Sequence, residues 1–138
     1  MKKIVELNTS SDPVFLSMIR CVVLHSAKNA GCEDNMAENI VIAVNEACMN
    51  IIQHAYKNDN TKPISINVFE DNNKLIYKLI DKGNPIDFSK IKKRDLSEVK
   101  PGGLGLPMIE TIMDKVEFFS SPDGKENTLE LMKIKSGK

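Results

Sequence analysis

An excess of charge of either sign is the first thing this chain lacks. Nineteen lysines and arginines stand against nineteen aspartates and glutamates over 138 residues. Nothing here supplies the surplus of cations needed to neutralise a run of phosphates on DNA or RNA, so no direct nucleic-acid ligand is expected. Long apolar runs are missing too. Polar residues interrupt every hydrophobic stretch well short of the ~18 positions a membrane-spanning helix needs. Met1-Lys2-Lys3 leads into a short strand-like run instead of the apolar core of a secretion signal. Both absences point to no membrane partner and a cytoplasmic location. Cysteine is scarce: Cys21, Cys32 and Cys48 are odd in number and far apart, with no C-x-x-C pair. That suggests neither a disulfide framework nor a zinc site, and leaves three inert, mostly buried thiols.

Two common phosphate-binding signatures are also absent. No G-x-x-x-x-G-K-[ST] loop occurs, and Gly103-x-Gly105 is followed by Met108 where a dinucleotide fingerprint would place its third glycine. There is no internal repeat, low-complexity tract or linker. What remains is ordinary globular material, 41% hydrophobic and 28% charged, enough for one domain over 1–138.

The periodicities order that domain. Lys3 to Leu7 reads as a short strand, and Asn8-Thr9-Ser10-Ser11-Asp12-Pro13 as the start of a helix, with cap-type side chains ahead of a proline suited to the first turn. Phe15, Ile19, Val22 and Val23 carry that helix to about Gly31. Met36, Ile40, Val44, Ala47 and Ile51 recur every three or four residues, predicting a second helix from about Asp34 to Tyr56. Ile64 to Val68 and Leu75 to Ile80 form a hairpin around Asp71-Asn72-Asn73. A polar segment follows, framed by Gly83, Pro85, Pro101 and Gly102-Gly103, and a loop that long is usually functional. Leu104 to Asp114 is a third helix, provided Pro107 falls in its first turn. Lys115 to Ser120 and Thr128 to Ile134 close the chain as a hairpin around Pro122-Asp123-Gly124. The expected fold class is α+β, a two-layer sandwich with helices on one face of the sheet.

Three constellations carry chemistry. Glu46, Asn50 and His54 stand at i, i+4 and i+8 on one face of the second helix, bordered by Asn45 and Gln53. Magnesium takes hard oxygen ligands and usually only one or two from protein, a role the Asn50 carbonyl fits. A carboxylate one turn away can orient or deprotonate an attacking hydroxyl. The same stripe is also what a solvated helix face looks like. Asp81-Lys82-Gly83-Asn84-Pro85 ends a strand; an ionised Asp81 can accept the exocyclic amine of adenine, and Gly83 permits close backbone approach. Alone, it is an ordinary turn. Gly102-Gly103-Leu104-Gly105 opens a helix, where amides free of Cβ can face an anion.

In order and at these separations, Glu46-Ala-Cys-Met-Asn50-Ile-Ile-Gln-His54-Ala-Tyr56, Asp81-x-Gly83 and Gly102-Gly103-Leu104-Gly105-Leu106-x-Met108-Ile109 resemble the nucleotide boxes of the gyrase, Hsp90, histidine kinase and MutL ATPase superfamily. Within it, the likeness is to the small anti-sigma factor serine kinases of bacteria. The resemblance implies a Bergerat-type fold with a mixed sheet, ATP and magnesium as cofactors, and an ATP lid at about 88–101. It implies Glu46 as general base and Asn50 as magnesium ligand. It places Asp81 at the adenine amine, Gly83 beside the base, and the turn Gly102, Gly103, Leu104, Gly105 and Leu106 at the phosphates. His54 either caps the nucleotide pocket or packs against neighbouring strands. Pro101 stands where relatives carry a basic residue, for which Lys100 or Arg94 substitutes. The implied function is an ATP-dependent protein-serine kinase that phosphorylates an anti-sigma factor antagonist, sequesters a sigma factor and works as a homodimer. A nucleotide-gated binding module, or a switch kinase acting on a regulatory scaffold without sigma binding, is the competing expectation.

Overall fold

Alternation of apolar and polar residues sets the sheet. The computed structural model describes residues 1–86 and 105–135. In it, Ile64, Ile66 and Val68 of β2 (Pro63–Glu70) and Leu75, Tyr77 and Leu79 of β3 (Lys74–Asp81) are all buried, because every second side chain of a strand points to the same face. With β1 (Lys2–Ser10), β4 (Lys115–Ser120) and β5 (Asn127–Ile134) they form a five-stranded sheet in the order β1-β2-β3-β5-β4. Helices α1 (Leu16–Asn29), α2 (Asp34–Asn50) and α3 (Gly105–Ile112) pack on the face that those residues present. This is the expected two-layer α+β sandwich.

The expectation of a mixed sheet needs correcting. Every pairing among the described residues is antiparallel. The connections explain why. Two helices, α1 and α2, return the chain to the end of the sheet at which β1 stopped, so β2 runs back against β1, and β2–β3 and β4–β5 are hairpins. Strands that share a direction, such as β3 and β4, are never hydrogen-bonded neighbours because an opposed strand, here β5, lies between them.

Helix ends differ from expectation in instructive ways. Asn8, Thr9 and Ser10 do not serve the first helix; they extend β1 and pair with Ser65, Ile64 and Pro63. Asp12 alone caps, its carboxylate accepting from the Val14 amide at 3.0 Å, and Pro13 opens a 3-10 turn ahead of α1. Helix α2 buries Ile40, Val44 and Ala47 as its periodicity requires, but regular α geometry stops at Asn50. Ile51–Ala55 is a π-turn, closed by the Tyr56 amide donating five residues back to the Ile51 carbonyl at 2.9 Å. Lys57 (φ 53) and Asn58 (φ 66) then turn the chain away. Such turns are rare and gather at functional sites. Helix α3 has Pro107 in its first turn, where a missing N–H costs nothing. It ends at Ile112 because Asp114 joins the sheet, donating its amide to Met132 and accepting from the Ile134 amide.

Candidate nucleotide site

Helix α2 and its π-turn place the first constellation. Asn50 is the last α-helical residue, only 1% exposed, and neither its amide nitrogen nor its carbonyl oxygen has a hydrogen-bond partner among the described residues. A buried polar group left without a partner costs about 1–3 kcal/mol, a cost that packing within the described fold does not offset by any hydrogen bond. Glu46, one turn before it, is half-buried. Its neighbour Asn45 accepts from the Arg20 guanidinium at 3.1 Å. His54 is half-buried within the π-turn, so the regular i+4 stacking on Asn50 expected of an α-helix does not apply to it.

The second constellation lies at the end of β3, and its construction is tighter than a turn needs. Asp81 is 3% exposed. One of its oxygens, Oδ1, accepts from the Gly83 amide at 2.8 Å and from the Asn127 side-chain nitrogen at 2.9 Å. Burial pushes its carboxyl above the ordinary range, against the pull of those two bonds. No donor among the described residues engages Oδ2. Two donors on one oxygen leave the group an acceptor, which is what recognition of an exocyclic amine requires.

Gly83 proves necessary for a reason the sequence could not supply. A Cβ built on it would lie 2.5 Å from the Ala55 carbonyl oxygen, 2.7 Å from its carbon and 2.9 Å from the Tyr56 ring. The Asn84 amide donates to the same carbonyl at 3.0 Å. The close backbone approach is thus made to the end of the α2 π-turn, within the protein itself. Tyr56 extends the stitching: its hydroxyl accepts from the Lys82 amide at 2.7 Å and donates to the Pro63 carbonyl. The second constellation is therefore seated on the end of the first. Beside them a hollow of about 520 Å³ opens past Gly83 and Asn84, rimmed by Lys57, Lys62, Lys82 and Lys125.

Of the third constellation, Gly105 opens α3 as expected and Leu106 is 2% exposed. Helix α3 packs against α2, the helix that ends at Asn50. Lys100, Gly102, Gly103, Leu104, Arg94 and the expected lid at about 88–101 lie outside the described residues. Asn127 is the residue that sequence reasoning missed. It is fully buried, stands opposite Asp81 in the β3–β5 register, and donates through the same nitrogen to Asp81 and to the Gly83 carbonyl, each at 2.9 Å. Its signal is long-range strand pairing, which no local motif encodes.

The arrangement offers a partnerless hard oxygen near one end, a carboxylate acceptor at the other and a carboxylate one turn from the first. No group of three or more His, Cys, Asp or Glu capable of holding a metal occurs among the described residues. A magnesium ion accompanying phosphates needs only one or two protein oxygens, and the Asn50 amide fits that need.

The histidine kinase-like ATPase domain model matches residues 9–133. The serine-protein kinase RsbW of Bacillus subtilis is 37% identical over 123 residues, covering 81% of this chain and 75% of its own. The chain belongs to the RsbW family of serine-protein kinases. RsbW of Staphylococcus aureus is similar to it at 34% identity over 130 residues, 86% of this chain and 80% of that one. Membership of this family makes the chain an ATP-using protein-serine kinase. Among solved structures, the RsbU and RsbW domains of a Mycobacterium tuberculosis protein superpose with a TM-score of 0.65 at 16% identity, covering 95% of this chain and 32% of that one. This chain therefore spans about a third of that solved chain. The SiaB-SiaC complex of Pseudomonas aeruginosa contains a chain with a TM-score of 0.57 at 12% identity, matched over 96% of this chain and 91% of its own. At these identities both likenesses support the fold. No helix among the described residues is long and apolar enough to cross a membrane.

Proposed function

We propose that this family member phosphorylates a serine of an anti-sigma factor antagonist from magnesium-bound ATP, and that it also binds a sigma factor, acting as a homodimer in the cytoplasm. The observation that carries the phosphotransfer site is the buried Asn50 amide with no partner among the described residues, set one helical turn beyond Glu46. In this reading the Asn50 oxygen holds the metal, which when bound neutralises charge on the phosphates. Asp81 accepts the adenine amine through the oxygen its own fold leaves unused, and Gly105 at the start of α3 faces the phosphates. Glu46 takes the proton of the incoming seryl hydroxyl as that oxygen bonds to the terminal phosphorus and ADP departs. A carboxylate in this position suits a hydroxyl acceptor.

The test is Glu46→Ala. The variant should bind ATP as the parent does while transfer of labelled phosphate to a purified antagonist falls by about 10² or more, the usual worth of a positioned base. Transfer at the parental rate would remove Glu46 from the chemistry. A parent protein that binds ATP and the antagonist but labels nothing would make the chain a nucleotide-gated module instead.

A further inference from the structure

Asn127 has more to do than close a turn. It stands at the first position of β5 with no exposed surface. The chemistry of its neighbours fixes the orientation of its amide: one side meets a carboxylate and a carbonyl, both acceptors, and the other meets the Ser120 hydroxyl, which donates to the Asn127 oxygen at 2.8 Å. Only the nitrogen can face Asp81 and Gly83. The consequence is that Asp81 Oδ1 is filled by two donors, from Asn127 and from the Gly83 amide, while its second oxygen meets no donor among the described residues.

We propose that Asn127 is a positioning residue that sets base selectivity: by saturating Asp81 Oδ1 and tying the Gly83 carbonyl to the same nitrogen, it fixes the carboxylate as an acceptor aimed at an amine, so that the pocket takes adenine and refuses a purine carrying a carbonyl oxygen at that place. Without Asn127 the carboxyl has one fewer bond holding it ionised and one fewer holding its rotamer. It is buried, and burial favours the protonated form. A protonated, freely turning carboxyl can donate to a carbonyl as well as accept from an amine. Selectivity would then relax, over and above any loss of affinity.

This rests on the reading that Asp81 meets the base, and the experiment separates the two. Affinities of the full chain for ATP and for ITP, in which a carbonyl replaces the amine, are measured by calorimetry in magnesium buffer for the parent, Asn127→Ala and Asp81→Asn. The parent should prefer ATP. Asn127→Ala should lose roughly 10- to 100-fold in ATP affinity, the worth of a charge-assisted hydrogen bond, and hold ITP within about threefold, so the preference collapses by about tenfold or more. Equal loss for both nucleotides, or no change in their ratio, overturns the proposal and leaves Asn127 a structural residue. If Asp81→Asn leaves the preference at the parental value, the base reading itself fails and the proposal goes with it. Should the alanine variant not fold, Asn127→Thr keeps one donor toward Asp81 and gives up the tie to Gly83. Its preference should fall part of the way, and a parental ratio there overturns the proposal equally.

Discussion

Replacing Gly83 by alanine adds a single methyl group where the chain has left no room. The new carbon would stand 2.5 Å from the Ala55 carbonyl oxygen and 2.7 Å from its carbon. Both are backbone atoms at the end of the π-turn and cannot swing aside as a side chain would. Either the end of α2 or the strand-end loop must retreat. Overpacking of this kind costs about 1–3 kcal/mol. Retreat also lengthens the bond from the Asn84 amide to Ala55, worth about 0.5–1.5 kcal/mol. The expected loss is about 2–4 kcal/mol, a fall of roughly 10 °C in melting temperature for a domain of this size. Urea unfolding followed by circular dichroism measures it. ATP affinity should fall as well, because the Gly83 amide is one of the two donors on Asp81. Gly124→Ala is the internal control. That residue has φ +71 and nothing within 4 Å of a built Cβ, so its cost is conformational only, about 1 kcal/mol. A Gly83→Ala protein as stable as the parent to within about 0.5 kcal/mol, or no less stable than Gly124→Ala, would refute the steric argument.

Two further outcomes follow from burial. Asn50→Leu should abolish ATP binding yet leave the nucleotide-free protein as stable as the parent or about 1–2 kcal/mol more so, since it removes two buried polar atoms that have no partner among the described residues; a destabilised variant that still binds ATP would contradict the assignment. A disulfide reagent added to the native protein should react promptly with Cys21, which is exposed, and reach Cys32 and Cys48 only after denaturation, because burial raises both thiols, that of Cys48 to about 12. Fast labelling that persists in Cys21→Ser would show this picture of the core to be wrong.

The pattern of apolar residues was enough to place α1, α2, the β2–β3 hairpin and the closing hairpin, since helices and strands with one buried face write their period into the chain. Local chemistry marked Glu46, Asn50 and Asp81 only as candidates, equally suited to a solvated helix face and an ordinary turn; their order along the chain and the resemblance it carries gave them their expected roles. Three things were hidden. The π-turn follows from no proline or glycine in Ile51–Ala55. It arises where the chain must hand Ala55 to Gly83, a contact between segments 28 residues apart in sequence. The partnership of Asn127 with Asp81 depends on β5 slotting between β3 and β4, a choice made by the whole sheet. The antiparallel pairing of β1 with β2 was masked by Asn8, Thr9 and Ser10, whose side chains suit a helix cap equally well until β2 offers them a ladder.

The knot tied by Ala55, Tyr56, Asp81, Gly83 and Asn127 also bears on when the ordering of the pocket takes place. Every bond in it is internal, so the entropy of arranging the base end is lost as the protein folds and not again when nucleotide arrives. Under the proposed role of Asp81, an incoming purine meets a finished surface. Asn50 stands on the same helix that ends in this knot, so under the proposed roles the spacing between its oxygen and the Asp81 carboxylate is settled before binding. It can act as a fixed gauge against which the length of a ligand is measured.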